Sequence, residues 1–142
     1  MNAIANLQML DSYVKEFSIN LQNKIEQGIE LNIDTNVGFA INNIAKEKED
    51  YRGQIEMFYD IDLKSNDNNL GKIHIVMQAI FSGTKDLTEE EFTQMLKLNG
   101  ATTLSHLIRA YIHTNTSLSN MPIINTPMIN FIEFFEENDN KN

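Results

Sequence analysis

Cysteine is absent from these 142 residues, which excludes disulfides, thiolate nucleophiles and Cys-based zinc sites together. Two Pro and six Gly are too few for a collagen-like chain or a Pro/Gly-rich linker. Basic residues are scarce: eleven Lys and Arg stand against twenty Asp and Glu, a net charge of −9. The first 71 residues hold twelve of the acids and six of the bases, so the acidity is spread along the chain. A duplex nucleic-acid binder needs a basic stripe that is missing here, and an anionic lipid surface would repel the chain. Basic or neutral partners are expected instead. No apolar run approaches the roughly 20 residues of a membrane span, so no membrane insertion is expected. Met1 to Leu10 has no basic residue and is interrupted by Asn2, Asn6 and Gln8, unlike a secretory signal. Cytoplasm is the expected location. The length fits a single domain over residues 1–142.

Alternation with period two marks half-buried strands in the first half. Tyr13, Phe17, Ile19 and Leu21 carry the first. Ile29, Leu31, Ile33, Val37, Phe39 and Ile41 carry the second, after a connection at Asn23 to Gly28. Lys46 to Asp50 is a run of five charges and must be solvated. Ile55, Met57, Tyr59, Ile61 and Leu63 line one face of the third strand. Asn66 to Gly71 has a turn composition, and the fourth strand, Lys72 to Ser82, turns Ile73, Ile75, Met77, Ala79 and Phe81 to one side.

The period then changes. Thr88-Glu89-Glu90-Glu91 is a capping box that opens a short helix, which Asn99-Gly100 is expected to stop. Leu104, Leu107, Ile108, Tyr111 and Ile112 give helical spacing from Ala101 to Leu118. An apolar loop with Pro122 and Pro127 follows, then a short helix over Ile129 to Glu136 and a frayed tail from Asn138 to Asn142. The fold class is α+β: a four-stranded antiparallel sheet followed by C-terminal helices packed on one face.

Chemistry is sparse. No Gly-rich loop cradles a phosphate. Asp60, Asp62, Asn66 and Asp67 fail the calcium-loop register, since the glycine position is Ser65 and the bidentate Glu position is Gly71. His106 and His113 share the polar face of the long helix with Arg109, but two imidazoles do not complete a zinc site. Solvated or interfacial residues are the plainer reading of this trio. His74 reads as an outward strand residue. No nucleophile elbow is present. No catalytic residue, metal or cofactor is expected. The loop residues Met121, Ile123, Ile124, Met128 and Ile129 either pack under a neighbouring element or line a binding surface.

Ala101 to Phe131 resembles the C-terminal part of the protein-export chaperone SecB family. The matching residues are Leu104-Ser105-His106-Leu107-Ile108-Arg109-Ala110, then Met121-Pro122-Ile123-Ile124-Asn125-Thr126-Pro127-Met128-Ile129-Asn130-Phe131. Pro127 to Phe131 is similar to the family's Pro-Val-Asn-Phe close with one residue extra. Leu7 to Leu21 and Gln78-Ala79-Ile80-Phe81 are similar too. The resemblance implies a dimer of dimers with the long helices at the tetramer interface, where His106, Arg109 and His113 are the candidates. It implies holding of unfolded polypeptide clients in apolar grooves without ATP. Candidate groove residues are Ile25, Met121, Ile123, Ile124 and Phe131. Glu16 matches an acidic position through which export members dock their motor, SecA. Asn20 and His74 stand where further acids are expected, which makes SecA docking doubtful. A client from a toxin–antitoxin module is a further expectation. The alternative reading is a small apolar-ligand binder with a cavity between sheet and long helix.

Overall fold

A computed structural model describes residues 5–140. Four antiparallel strands come first: β1 (Leu7–Leu21), β2 (Asn32–Lys46), β3 (Asp50–Ser65) and β4 (Asn68–Thr84). They lie in the order β1-β4-β3-β2. Strands β2, β3 and β4 form a meander, and residues 22–31 carry the chain from the β1 edge across to the β2 edge. Ile25, fully buried, pins this crossing to the core, and Gly28 turns it with φ +85°, a backbone region that costs glycine nothing. Asn66 and Asp67 both have positive φ, the two-residue hairpin turn that suits the twist of β3 and β4.

The faces follow the expected alternation on β3 and β4: Ile55, Met57, Tyr59, Ile61, Leu63, Ile73, Ile75, Met77, Ala79 and Phe81 are all buried. On β1 the expectation needs a correction. Register shifts fall between Met9 and Asp11 and between Val14 and Glu16. The extra residue in each bulge re-phases the strand. Tyr13 therefore pairs with outward-facing Gln78, while Phe17 pairs with inward-facing Ile75. The two aromatics stand on opposite faces of the sheet.

Helix α1 (Glu89–Met95) opens on the capping box as expected. The Glu91 amide donates to Thr88 Oγ1 at 3.1 Å, and the Thr88 amide donates to Glu91 Oε1 at 3.0 Å. Phe92 is wholly buried and stacks on Tyr51 with centroids 5.3 Å apart. The helix does not stop at Asn99-Gly100. It runs through a π-helical turn, Leu96–Gly100, straight into α2 (Ala101–Leu118). Gly100 is right-handed there, with φ −64°. A Cβ at this position would lie 2.9 Å from Ile55 Cδ1. This glycine serves close approach of helix to sheet, not helix termination.

Leu104, Ile108 and Ile112 fill the space between α2 and the sheet with no exposed surface. Tyr59 and Ser105 join β3 to α2 through hydroxyls 2.6 Å apart. Burial pushes the Tyr59 hydroxyl above its ordinary 10.0, against the opposing effects of that hydrogen bond and of the Arg109 charge. Helix α3 (Phe131–Asn140) closes the chain. Asn130 Oδ1 caps it by accepting from the Ile132 and Glu133 amides at 3.0 and 3.3 Å. Helix therefore replaces the tail expected from Asn138. Residues 1–4, 141 and 142 lie outside the described residues, and with them the start of the Met1 to Leu10 segment and the end of the expected Asn138 to Asn142 tail.

Candidate functional site

The C-terminal return segment, residues 119–130, is fastened along α2 by three polar contacts. Thr116 Oγ1 accepts from the Ile124 amide at 3.0 Å while donating to the Ile112 carbonyl at 2.8 Å. Arg109 Nε donates to the Thr126 carbonyl at 3.0 Å. His113 Nδ1 lies 2.9 Å from Asn125 Oδ1. This stitching fixes which side chains turn in. Met121 and Ile124 are 2% and 3% exposed, whereas Ile123 between them is 47% exposed. Phe131 and Ile25 are buried as well.

Of the five candidate groove residues, then, Ile25, Met121 and Ile124 are core in the single chain. Phe131 is largely core but still contributes to a groove wall, and Ile123 alone is open. The reason is the hydroxyl of Thr116, which draws the Ile124 amide under the end of α2 and takes the flanking side chains with it. Further along the segment, Met128 is 74% exposed and Ile132 59%.

Two grooves flank α3. One, of about 440 Å3, lies between α3 and the edge strand β2, with Val37, Phe39, Ile41, Phe134 and Phe135 on its walls. The rings of Phe39 and Phe135 meet edge to face at 5.1 Å. Lys97 Nζ stands 5.9 Å from the Phe135 centroid, a cation–π contact. The other groove, of about 610 Å3, runs between the start of α2 and residues 129–132, with Leu98, Thr102, Ile129, Phe131 and Ile132 along it. Because β2 is an edge, its outer backbone groups are unpaired by the sheet and can receive an added strand. Sequence reasoning missed Phe134, Phe135 and the β2 edge. The i, i+3, i+4 spacing of Phe131, Phe134 and Phe135 was the available signal.

The opposite face of the sheet is polar. Glu16, His74 and Asp60 form a row across β1, β4 and β3. His74 Nδ1 is 2.5 Å from Asp60 Oδ1, and Nε2 is 2.8 Å from Glu16 Oε2. A carboxylate on each side of the ring favours a proton on both of its nitrogens. The hydrogen bond to Asp60, then that to Glu16, raise the His74 pKa above 6.5. Nearby, Lys15 pairs with Glu56 at 3.2 Å, Glu56 accepts from Gln78 Nε2 at 2.7 Å, and the Tyr13 hydroxyl bonds Gln78 Oε1. Asn20 pairs across the sheet with Lys72.

A raised folded-state pKa means that the His74 contribution to stability is complete below about 6.5, the unfolded value, and is lost as pH rises through the folded value. The melting temperature of the wild-type chain should therefore fall relative to His74→Gln as pH increases from 6 to the alkaline side of neutrality. Parallel melting curves for the two proteins across that range would contradict the assignment.

On α2, His106, Arg109 and His113 do come together. They share one hollow of about 370 Å3 with Asn125 and Thr126 of the return segment.

The chain matches, over residues 1–142, the family described as Preprotein translocase subunit SecB. It belongs to the SecB family. A solved structure of the Mycobacterium tuberculosis Rv1957 SecB-like chaperone, in complex with a ChAD peptide from the Rv1956 HigA1 antitoxin, shares the fold of this SecB-family chain. The TM-score is 0.71 at 16% identity, over 87% of this chain and 91% of that one. A Streptococcus agalactiae protein of unknown function aligns at 12% identity with a TM-score of 0.48, covering 88% of this chain and 99% of its own. No curated protein matches the sequence. Family and fold together support a chaperone role for this SecB-family member, with the four-stranded sheet and C-terminal helices as expected. Among the described residues no helix is long and apolar enough to cross a membrane.

Proposed function

We propose that the chain is an ATP-independent holdase of the cytoplasm that keeps unfolded polypeptide segments in the two grooves beside α3. The observation that carries this reading is the exposure of Ile132 on the wall of the second groove, with Ile123 and Met128 also open to water on the return segment that leads to it. An extended client can add its backbone to the β2 edge and sink alternate apolar side chains against Phe39, Phe134 and Phe135. Each buried client side chain contributes about 1.5–3 kcal/mol at most, so several must act together. The peptide bound by the M. tuberculosis chaperone supports a polypeptide partner here, and leaves both export substrates and a toxin–antitoxin client within the proposal. The close filling of the sheet–α2 interface by Leu104, Ile108 and Ile112 disfavours the alternative of a small-ligand cavity there.

The same proposal includes a homotetramer. Edge strand β1 exposes Met9, Leu10 and Tyr13. Beside it, Leu107 and Tyr111 of α2 border an open hollow of about 540 Å3. Such an apolar edge favours pairing with another copy. Motor docking through Glu16 is left outside the proposal, because His74 already engages that carboxylate.

A chemically denatured, unrelated protein diluted into buffer without nucleotide should aggregate less when the chain is present. Light scattering of the chain alone should give a multiple of 16.3 kDa. Unchanged client scattering at several-fold molar excess would sink the holdase reading, and a stable monomer at micromolar concentration would sink the tetramer.

A further inference from the structure

We propose that the hollow between α2 and the return segment binds a small oxyanion of the phosphate class. The chain is strongly acidic, yet Phe92 to Ile132 contains no Asp or Glu. Arg109 lies in the middle of that stretch, half-buried. None of the ion pairs among the described residues includes it. A cation withdrawn from water without a counter-charge is costly. Its Nε is committed to the Thr126 carbonyl at 3.0 Å, which fixes the plane of the guanidinium. No contact among the described residues takes its two terminal nitrogens, and they form the fork that matches two oxygens of a tetrahedral anion.

The neighbours suit the same guest. His106 and His113 stand three residues before and four after Arg109, so the three share one helix face. His113 is oriented by Asn125 through Nδ1, which leaves Nε2 for another partner. The hollow, of about 370 Å3, has no carboxylate on its walls. Thr126, at its border, has a buried hydroxyl without a hydrogen-bond partner. Donors converge here with no acceptor of negative charge, whereas Lys15, Arg52, Lys64 and Lys72 have carboxylate partners and Lys97, the other cation of the acid-free stretch, lies over the Phe135 ring.

The site is complete within one chain. Were α2 of one copy to approach α2 of another, it would have no acid to offer its counterpart. Two apposed patches would then repel, and a bound anion at each offsets that repulsion.

The test is titration of the full chain with inorganic phosphate at constant ionic strength, followed by nitrogen-resolved NMR of the Arg109 side chain and the His106 and His113 rings. Acetate and sulfate serve as comparators. Saturable shifts at these three residues are expected, with phosphate and sulfate tighter than acetate. Arg109→Gln should weaken phosphate binding by about tenfold or more, as loss of a bidentate charge-assisted pair does. Since Arg109 and His113 both hold the return segment, His106→Gln decides independently. The His106 ring is exposed and takes part in no fastening contact, so the fold is kept while phosphate affinity falls severalfold. Shifts that do not saturate by about 20 mM, a binding free energy of only about 2 kcal/mol, would overturn the proposal. So would saturation at other residues, or equal affinity in wild type and His106→Gln.

Discussion

Serine at both 121 and 124 should unfold most of the protein at temperatures where the wild type is intact, whereas serine at 123 should leave the melt unchanged. Met121 and Ile124 are core side chains, and Ile123 between them is half-exposed. Each large-to-small change in a core costs roughly 2–5 kcal/mol, and a domain of this kind has only about 5–15 kcal/mol in total. A serine hydroxyl placed there without a partner adds to the loss. The two sites are close, so their costs need not add, but the sum still removes a large share of the stability. A surface substitution such as Ile123→Ser falls within about 0.5 kcal/mol. Urea unfolding of M121S/I124S and of I123S checks this. Equal midpoints for the two proteins would mean that the return segment is not stitched under α2 as described.

Met128→Ser combined with Ile132→Ser should act in the opposite way, on binding and not on stability. Both side chains are largely in water in the free chain, so their loss removes little from folding. In the proposed complex each becomes buried against the client. Loss of about 1–2 kcal/mol at each of the two positions, below the full value for a completely buried side chain, weakens client affinity by about thirtyfold to nearly a thousandfold. Fluorescence anisotropy of a labelled, unfolded polypeptide, with a thermal melt of the same variant, reads both quantities. A normal melt with undiminished affinity would remove these two residues from the client surface.

The contrast between these variants marks where the sequence was legible. Period-two alternation located all four strands, because one face of this sheet is packed and the other wet, and the Thr88–Glu91 box located the start of α1. The α2 stripe named Leu104, Ile108 and Ile112, which are core. Positions whose direction depends on a single inserted residue or on a tertiary hydrogen bond were not legible. The β1 bulge at Val14/Glu16 leaves no mark in the hydrophobic pattern, and strict alternation puts Tyr13 on the same face as Phe17. Gly100 has the composition of a stop but serves contact with Ile55. Met121 and Ile124 look the same as Ile123 in composition, and only the buried Thr116 hydroxyl, eight residues before Ile124, separates them. Met128 is one of the loop residues whose composition fits packing and binding equally, and Ile132 falls inside the short helix expected over Ile129 to Glu136, so neither pattern says which side chain faces water. The β2 edge became visible only when the strand order placed β1 next to β4 instead of β2.

Methyl NMR of the assembled chain during titration with an unfolded client polypeptide, in the absence of nucleotide, tests the central claim most directly. The account predicts saturable shifts at the methyl groups of Ile123, Met128, Ile129 and Ile132, and at Val37 and Ile41 beside the β2 edge. Ile73 and Ile75, deep under the sheet, should stay unmoved. Shifts confined to Met9 and Leu10 at the β1 edge and Ile80 of neighbouring β4, or no saturable shift at any methyl group, would contradict it.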